Sequence, residues 1–128
     1  MKALFISLGI CLVVAAAFVF RPVPIPDNRE DCLSVTGKVT KIWEGGVKDV
    51  VFELENDNTY YYINRGLEQG LVLEDLQNKL IGNNVTIFYP EYWTPLNPNN
   101  TSRHLTILEY NGKDIFNEIE LVKNQRWW

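Results

Sequence analysis

Asp49-Val-Val-Phe-Glu-Leu-Glu-Asn-Asp-Asn-Thr-Tyr-Tyr-Tyr-Ile-Asn-Arg65 is the stretch whose reading decides the fold. Val50, Phe52 and Leu54 alternate with Val51, Glu53 and Glu55, which is the period of a strand with one buried face. Asn56-Asp57-Asn58 interrupts that pattern with residues suited to a tight turn. Thr59 to Ile63 then supplies the aromatic and β-branched types that fit a pleated surface. The segment is predicted to be a β-hairpin. Three adjacent tyrosines cannot share a face, so Tyr60, Tyr61 and Tyr62 must divide between the core and the outer surface.

Upstream, residues 33–43 form the first predicted strand. Val35, Gly37 and Val39 share one face, whereas Ile42 falls on the other. Such a change of phase inside one apolar run implies a bulge or bend, with Gly37 as a permissive position. Residues 44–48, Glu-Gly-Gly-Val-Lys, make a glycine-bearing loop into the hairpin. Downstream, Leu73, Leu76, Leu80 and Ile81 have the spacing of one helical face, and Gly82 suits a left-handed helix end. Val85, Ile87 and Tyr89 alternate as a fourth strand, and Leu105 and Ile107 mark a fifth. Between these two lies Pro-Glu-Tyr-Trp-Thr-Pro-Leu-Asn-Pro-Asn-Asn-Thr-Ser, residues 90–102, a proline-rich loop without apolar periodicity. Asn111-Gly112 signals a two-residue hairpin that returns through Lys113 to Ile119.

The amino terminus is of a different composition. Residues 3–20 carry no charge and only Ser7 and Gly9 as mild interruptions. As a helix they would rise about 27 Å, close to the roughly 30 Å hydrocarbon core of a bilayer. Two readings follow: a retained single-pass anchor, or a signal segment cleaved near Ala15 and Ala17. Cleavage there would leave Phe-Val-Phe at the new terminus, so retention is preferred, with the folded part outside the cytoplasm; the alternative is a secreted or periplasmic product. A lipoprotein is disfavoured because Ile10, not a small residue, precedes Cys11. Arg21-Pro-Val-Pro-Ile-Pro reads as an extended spacer. The expected division is therefore 1–20 anchor or signal, 21–31 spacer, 32–120 β domain and 121–128 tail.

Charge constrains the partner. The chain has 12 basic and 16 acidic residues; beyond Lys2 the balance is 11 against 16, a net of −5. A protein held on phosphates normally carries a basic surplus, so nucleic acid is disfavoured. Cys11 and Cys32 are expected to be unrelated thiols, and one histidine without a CxxC pair leaves no zinc site. No cofactor is implied. The sequence holds no nucleophile elbow, phosphate loop or close carboxylate pair, and the expectation is a non-enzymatic protein. Asn84, Asn99 and Asn100 head glycosylation-type triplets, which matter only in a host that glycosylates exported proteins.

This order of elements, three strands, a short helix and two more strands, with a first strand that changes face midway, resembles the oligonucleotide/oligosaccharide-binding (OB) fold. The resemblance spans residues 32–118 and is one of element order. An SH3-like barrel would not account for a leucine-striped helix between strands three and four. The implied architecture is mainly β: a small five-stranded antiparallel barrel with that one helix, the hairpin at Asn111-Gly112 being an addition. It also implies a binding surface along strands two and three, flanked by loops 44–48 and 90–102. Candidate ligand-binding residues there are Trp43, Tyr62, Arg65, Tyr92, Trp93, Arg103 and His104. Aromatic rings beside cations suit stacking on a saccharide or a protein ligand. Each has a plainer reading. Tyr92 and Trp93 could plug the end of the barrel, the tyrosines could be ordinary cross-strand pairs, Arg65 could pair locally with Glu68, and His104 has no evident Ser or Cys partner. The expected function is a binding or accessory domain tethered at a membrane surface. The alternative is a structural subunit of an envelope complex that uses the same surface on a protein.

Overall fold

The computed structural model describes residues 2–20 and 22–125; the terminal pair Trp127-Trp128 lies outside them. A single apolar helix, α1 (Lys2–Val19), leads the chain and buries none of its side chains against the rest of the protein. By length and composition it can cross a membrane, and a signal sequence would meet the same description. Among the described residues the remainder is a mixed, seven-stranded sheet with two further helices.

The strands are β1 (Leu33–Gly45), β2 (Asp49–Leu54), β3 (Tyr60–Ile63), β4 (Asn84–Tyr89), β5 (Ser102–His104), β6 (Ile107–Tyr110) and β7 (Lys113–Asn117). The helices are α2 (Leu73–Leu80), between β3 and β4, and α3 (Glu118–Gln125), after β7. Strand order is β5-β3-β2-β1-β4-β6-β7. β1 is long enough to serve two partners. Its first half pairs with β4 (Leu33↔Tyr89 to Lys38↔Asn84) and its second with β2 (Val39↔Leu54 to Gly45↔Asp49).

The predicted change of phase in β1 is real, but its position differs. The register slips between Val39 and Lys41, so Thr40 is the extra residue and Val39 and Ile42 both face the core. Gly37 lies elsewhere in the strand, where a Cβ would sit 3.3 Å from Leu54 Cδ1; it provides room for a neighbour and not a bend. Val50, Phe52, Leu54, Tyr61, Ile63, Val85 and Ile87 are buried at alternating positions, and Leu76 and Leu80 of α2 join them. Ile81, expected on the same helical face, is exposed: it is already extended (φ −63°, ψ 127°), and Gly82 turns the chain at φ +87°.

Three features of the expected barrel need correction. Among the described residues there are seven strands and not five, the sheet is mixed and not antiparallel, and it is not closed. The expected fifth strand divides at Leu105-Thr106, because those two residues send consecutive N–H groups to different partners. Leu105 donates to Tyr62 O and Thr106 to Phe88 O, each at 2.8 Å. The piece before the break, β5, lies parallel to β3, and the piece after it, β6, antiparallel to β4. The return strand from Asn111-Gly112 stops at Asn117, not Ile119. Asn117 Oδ1 accepts the Glu120 N–H at 3.1 Å as an N-cap, Glu118 and Glu120 occupy the first turn, and α3 takes over what read as strand end and tail.

The spacer's polar end is attached to the sheet. Arg29, in a single 3₁₀ turn at Arg29–Asp31, bonds Glu109 Oε2 at 2.6 Å and Asp114 Oδ2 at 2.5 Å. Its guanidinium lies 5.0 Å from the Phe88 ring centre.

Candidate functional site

Outward-facing residues of four strands form one cross-strand row. Register places Trp43 of β1 opposite Val51 of β2, Val51 opposite Tyr62 of β3, and Tyr62 opposite His104 of β5. Alternation along the hairpin makes this row the counterpart of the buried Phe52, Tyr61 and Ile63. Tyr61 is the inward tyrosine, its hydroxyl bonded to Asp57 Oδ2 at 2.7 Å, and burial with that carboxylate raises its pKa. Tyr60 is exposed, and Tyr62 is half-buried on the outer face.

Tyr62 and His104 meet edge to face with ring centres 5.5 Å apart. Next to them lies a pocket of about 690 Å³. Val51, Tyr62 and His104 contribute sheet residues, and Gly45, Gly46 and Asp49 contribute the β1–β2 turn. Pro90, Tyr92, Thr94, Leu96, Asn97, Asn100 and Thr101 contribute the long loop, and Val23 comes from the spacer. Ser102 and Arg103 complete the wall.

The loop that covers this face is held by its own polar groups. Asn97 Oδ1 accepts the Thr101 N–H and hydroxyl, each at 3.1 Å, while its amide donates to the Ser102 carbonyl. Trp93 Nε1 donates to Pro98 O at 3.2 Å. Two bonds attach the loop to the β3 edge: Tyr60 N–H to Thr101 O at 2.8 Å, and the Thr59 hydroxyl to Asn100 O at 3.2 Å. Proline-rich sequence therefore forms a fixed roof here.

The histidine is anchored from behind. His104 Nε2 lies 2.6 Å from Glu118 Oε2, and these side chains are 9% and 15% exposed. Glu118 opens α3, so the helix missed in the sequence supplies the group that orients the ring. Burial raises the Tyr62 phenol pKa, with Asp49, Glu118 and Tyr92 adding to the rise. The ring is neutral at physiological pH, with a hydroxyl fit for hydrogen bonding.

Of the seven candidates, Tyr62, Tyr92, Arg103 and His104 line the pocket. Arg103 also lies 4.8 Å from the Tyr89 ring centre. Trp43 shares the face but not the pocket; it meets Tyr60 edge to face at 5.4 Å and holds Lys41 Nζ 4.9 Å from its ring. Trp93 stands on the outer side of the roof, 47% exposed. Arg65 points away: its side chain pairs with Glu68 at 3.5 Å, and its contribution to this region is a backbone N–H donated to Asp49 Oδ1 at 2.8 Å. The sequence reading missed Asp49, Val51, Asn64 and Asn100. For Val51 the signal was present, since it is the outward neighbour of two core residues in a strand already identified.

Compared with family models and with curated proteins, the chain matches none.

Proposed function

We propose that this chain is a non-enzymatic, membrane-tethered binding domain that holds a short saccharide in the pocket between the 90–101 loop and the face of β2, β3 and β5. The observation that carries this reading is the pairing of a half-buried aromatic floor, Tyr62, with a rim of amides and hydroxyls from Asn64, Asn100, Thr101 and Ser102. Sugars present alternating C–H faces and hydroxyl edges, and such a site offers a partner for each. The lining includes one carboxylate, Asp49, and one guanidinium, Arg103, which suits a ligand with little net charge. His104 is engaged with Glu118 and serves to hold Tyr62 in place.

An OB-type arrangement is part of the same reading. Its support is a first strand shared between two half-sheets, a helix between β3 and β4, and the N–H groups of Leu105 and Thr106 linking β3 to β4. In that fold ligands lie on strands two and three between the two flanking loops.

The test is glycan-array binding by the full chain in detergent, with Tyr62→Ala as the variant. Tyr62 faces outward, so the variant should keep its fold while losing a stacking contribution of about 1 kcal/mol, some five- to ten-fold in affinity. Glycan binding unaffected by Tyr62→Ala, or a folded protein that binds no glycan, would remove the proposal.

A further inference from the structure

We infer that the tip of the 92–96 loop rests on the bilayer surface, with Trp93 and Leu96 at headgroup level, so that the pocket opens beside the membrane. This rests on α1 being a retained anchor, and it is independent of which ligand the pocket holds.

The level of the loop follows from one bond. The Thr94 hydroxyl donates to the carbonyl of Val19, the last residue of α1, at 3.4 Å. Carbonyls at a helix end lack intrahelical donors, and Thr94 supplies one. The 18 residues of α1 rise about 27 Å against a hydrocarbon core of about 30 Å, so Val19 lies at the membrane boundary when the helix spans it. The loop bonded to Val19 then lies there too. Val23, four residues beyond the helix, lines the pocket, which confirms that spacer and roof stay together.

The residues at this level are those a membrane interface takes up. Leu96 is 64% exposed, and the half-exposed Trp93 is an amphipathic ring of the type concentrated where headgroups meet acyl chains. Val47, next to the pocket residue Gly46 on the facing turn, is 67% exposed and gives the opposite rim a second apolar tip. The charge argues for the same occupant. The chain beyond Lys2 carries a net of −5, which disfavours attachment to an anionic surface and suits a neutral lipid surface.

The test uses the full chain in phosphatidylcholine nanodiscs, with intact mass confirming that residues 1–20 are present. A nitroxide is placed at Leu96→Cys in a Cys11→Ala, Cys32→Ser background, and a second at Ile81→Cys as the aqueous control. Ile81 bridges to Val39, six residues along β1 from Gly45 and so roughly 20 Å from the pocket end. The expected result is an oxygen-to-nickel-complex accessibility ratio several-fold higher at position 96 than at 81. Should the cysteine background fail to fold, brominated phosphatidylcholine nanodiscs holding the natural-cysteine protein give a second readout. There Trp93→Phe should remove a large part of the lipid-dependent quenching. Equal ratios at 96 and 81, quenching unaffected by Trp93→Phe, or loss of α1 from the mature chain would each overturn the inference. Glycan binding measured on the unlabelled, natural-cysteine protein in the same nanodiscs separates this result from the fate of the pocket, because Leu96 itself lines that pocket.

Discussion

On one side of β1, strands β4, β6 and β7 pair antiparallel throughout and are crossed by Arg29, which bonds Glu109 and Asp114 together. On the other side, the turns that flank β2, β3 and β5 hold Lys48, Asn56, Arg65 and Asn100 at positive φ, between 51° and 62°. The first half has one such residue outside glycine, Asn111, in the tight hairpin turn where Asn is the favoured type. Left-handed backbone is costly for Lys and Arg, at about 1 to 2 kcal/mol each. Asp49 offsets part of this cost by accepting the Arg65 N–H, and Lys48 O accepts the Leu67 N–H at 3.1 Å. Strained backbone and the pocket thus occupy the same half, and the ion clamp occupies the other. The lesson is a division of labour across one sheet: regular pairing where only stability is required, and unusual turns where side chains must be aimed.

The largest expected effect separates the two faces of the pocket half. Phe52 is fully buried, and Phe52→Ala should cost about 3 to 5 kcal/mol. Val51, its neighbour on the outer face, is only partly buried, and Val51→Ala should cost less than about 1 kcal/mol. Urea unfolding of the two variants in one detergent decides the matter. Equal losses would mean that the outer face is packed as core and that the pocket is not available to a ligand.

A smaller effect is expected at the junction between the halves. Gly82 follows α2 at φ +87°, and its N–H donates to Val39 O at 2.8 Å, next to the bulge in β1. A Cβ there meets no atom within 4 Å, so a substitution suffers only from backbone conformation. Gly82→Val should destabilise by about 1 to 2 kcal/mol, and Gly82→Asn by less. An unchanged denaturation midpoint for Gly82→Val would show that this turn can relax and that the two halves are not rigidly joined.

The halves also differ in how far the sequence exposed them. Alternation over Val50 to Leu54, the Asn-Asp-Asn turn, the leucine stripe of α2 and Asn111-Gly112 are local patterns, and each gave its element. The bulge was visible as a change of phase because burial needs Val39 and Ile42 on one side. By contrast, β5 is only Ser102–His104 and has no apolar face of its own; its parallel contact with β3 is fixed by a partner some 42 residues earlier in the chain. α3 was hidden for another reason. Ile115, Phe116 and Ile119 fit a strand as well as a helix, and the deciding feature was the Asn117-x-x-Glu120 capping pattern. Missing α3 meant missing Glu118, and with it the group that fixes His104. All seven candidates came from a resemblance of element order, and four reached the pocket; Arg65, Trp43 and Trp93 did not, because their positions depend on a left-handed turn and on how the roof is folded and where it ends.

The smallest expected effect concerns the clamp and carries a pH signature. Burial alone would raise the Asp114 pKa, but hydrogen bonds from Arg29 and Asn117, with the Arg29 charge, outweigh it and hold the carboxyl below its ordinary value of 3.8. The Asp114 bond in turn raises Arg29. A carboxylate whose folded pKa is lowered contributes stability above the unfolded value and loses it as pH falls through the folded one. Arg29→Ala should therefore lower the melting temperature near neutral pH. Both partners are about one-third exposed, so screening limits the loss to under about 1 kcal/mol. The gap between variant and wild type should narrow as pH falls below 3.8 through the lowered Asp114 pKa, and close at a pH low enough to protonate that carboxyl. A gap that persists at that pH would assign the effect to the guanidinium packed on Phe88 and not to the ion pairs. Measuring glycan affinity of Arg29→Ala at neutral pH sharpens the comparison. Unchanged affinity keeps the halves independent, whereas a loss would show that the clamp also positions the pocket, most directly through the spacer that carries both Val23 and Arg29.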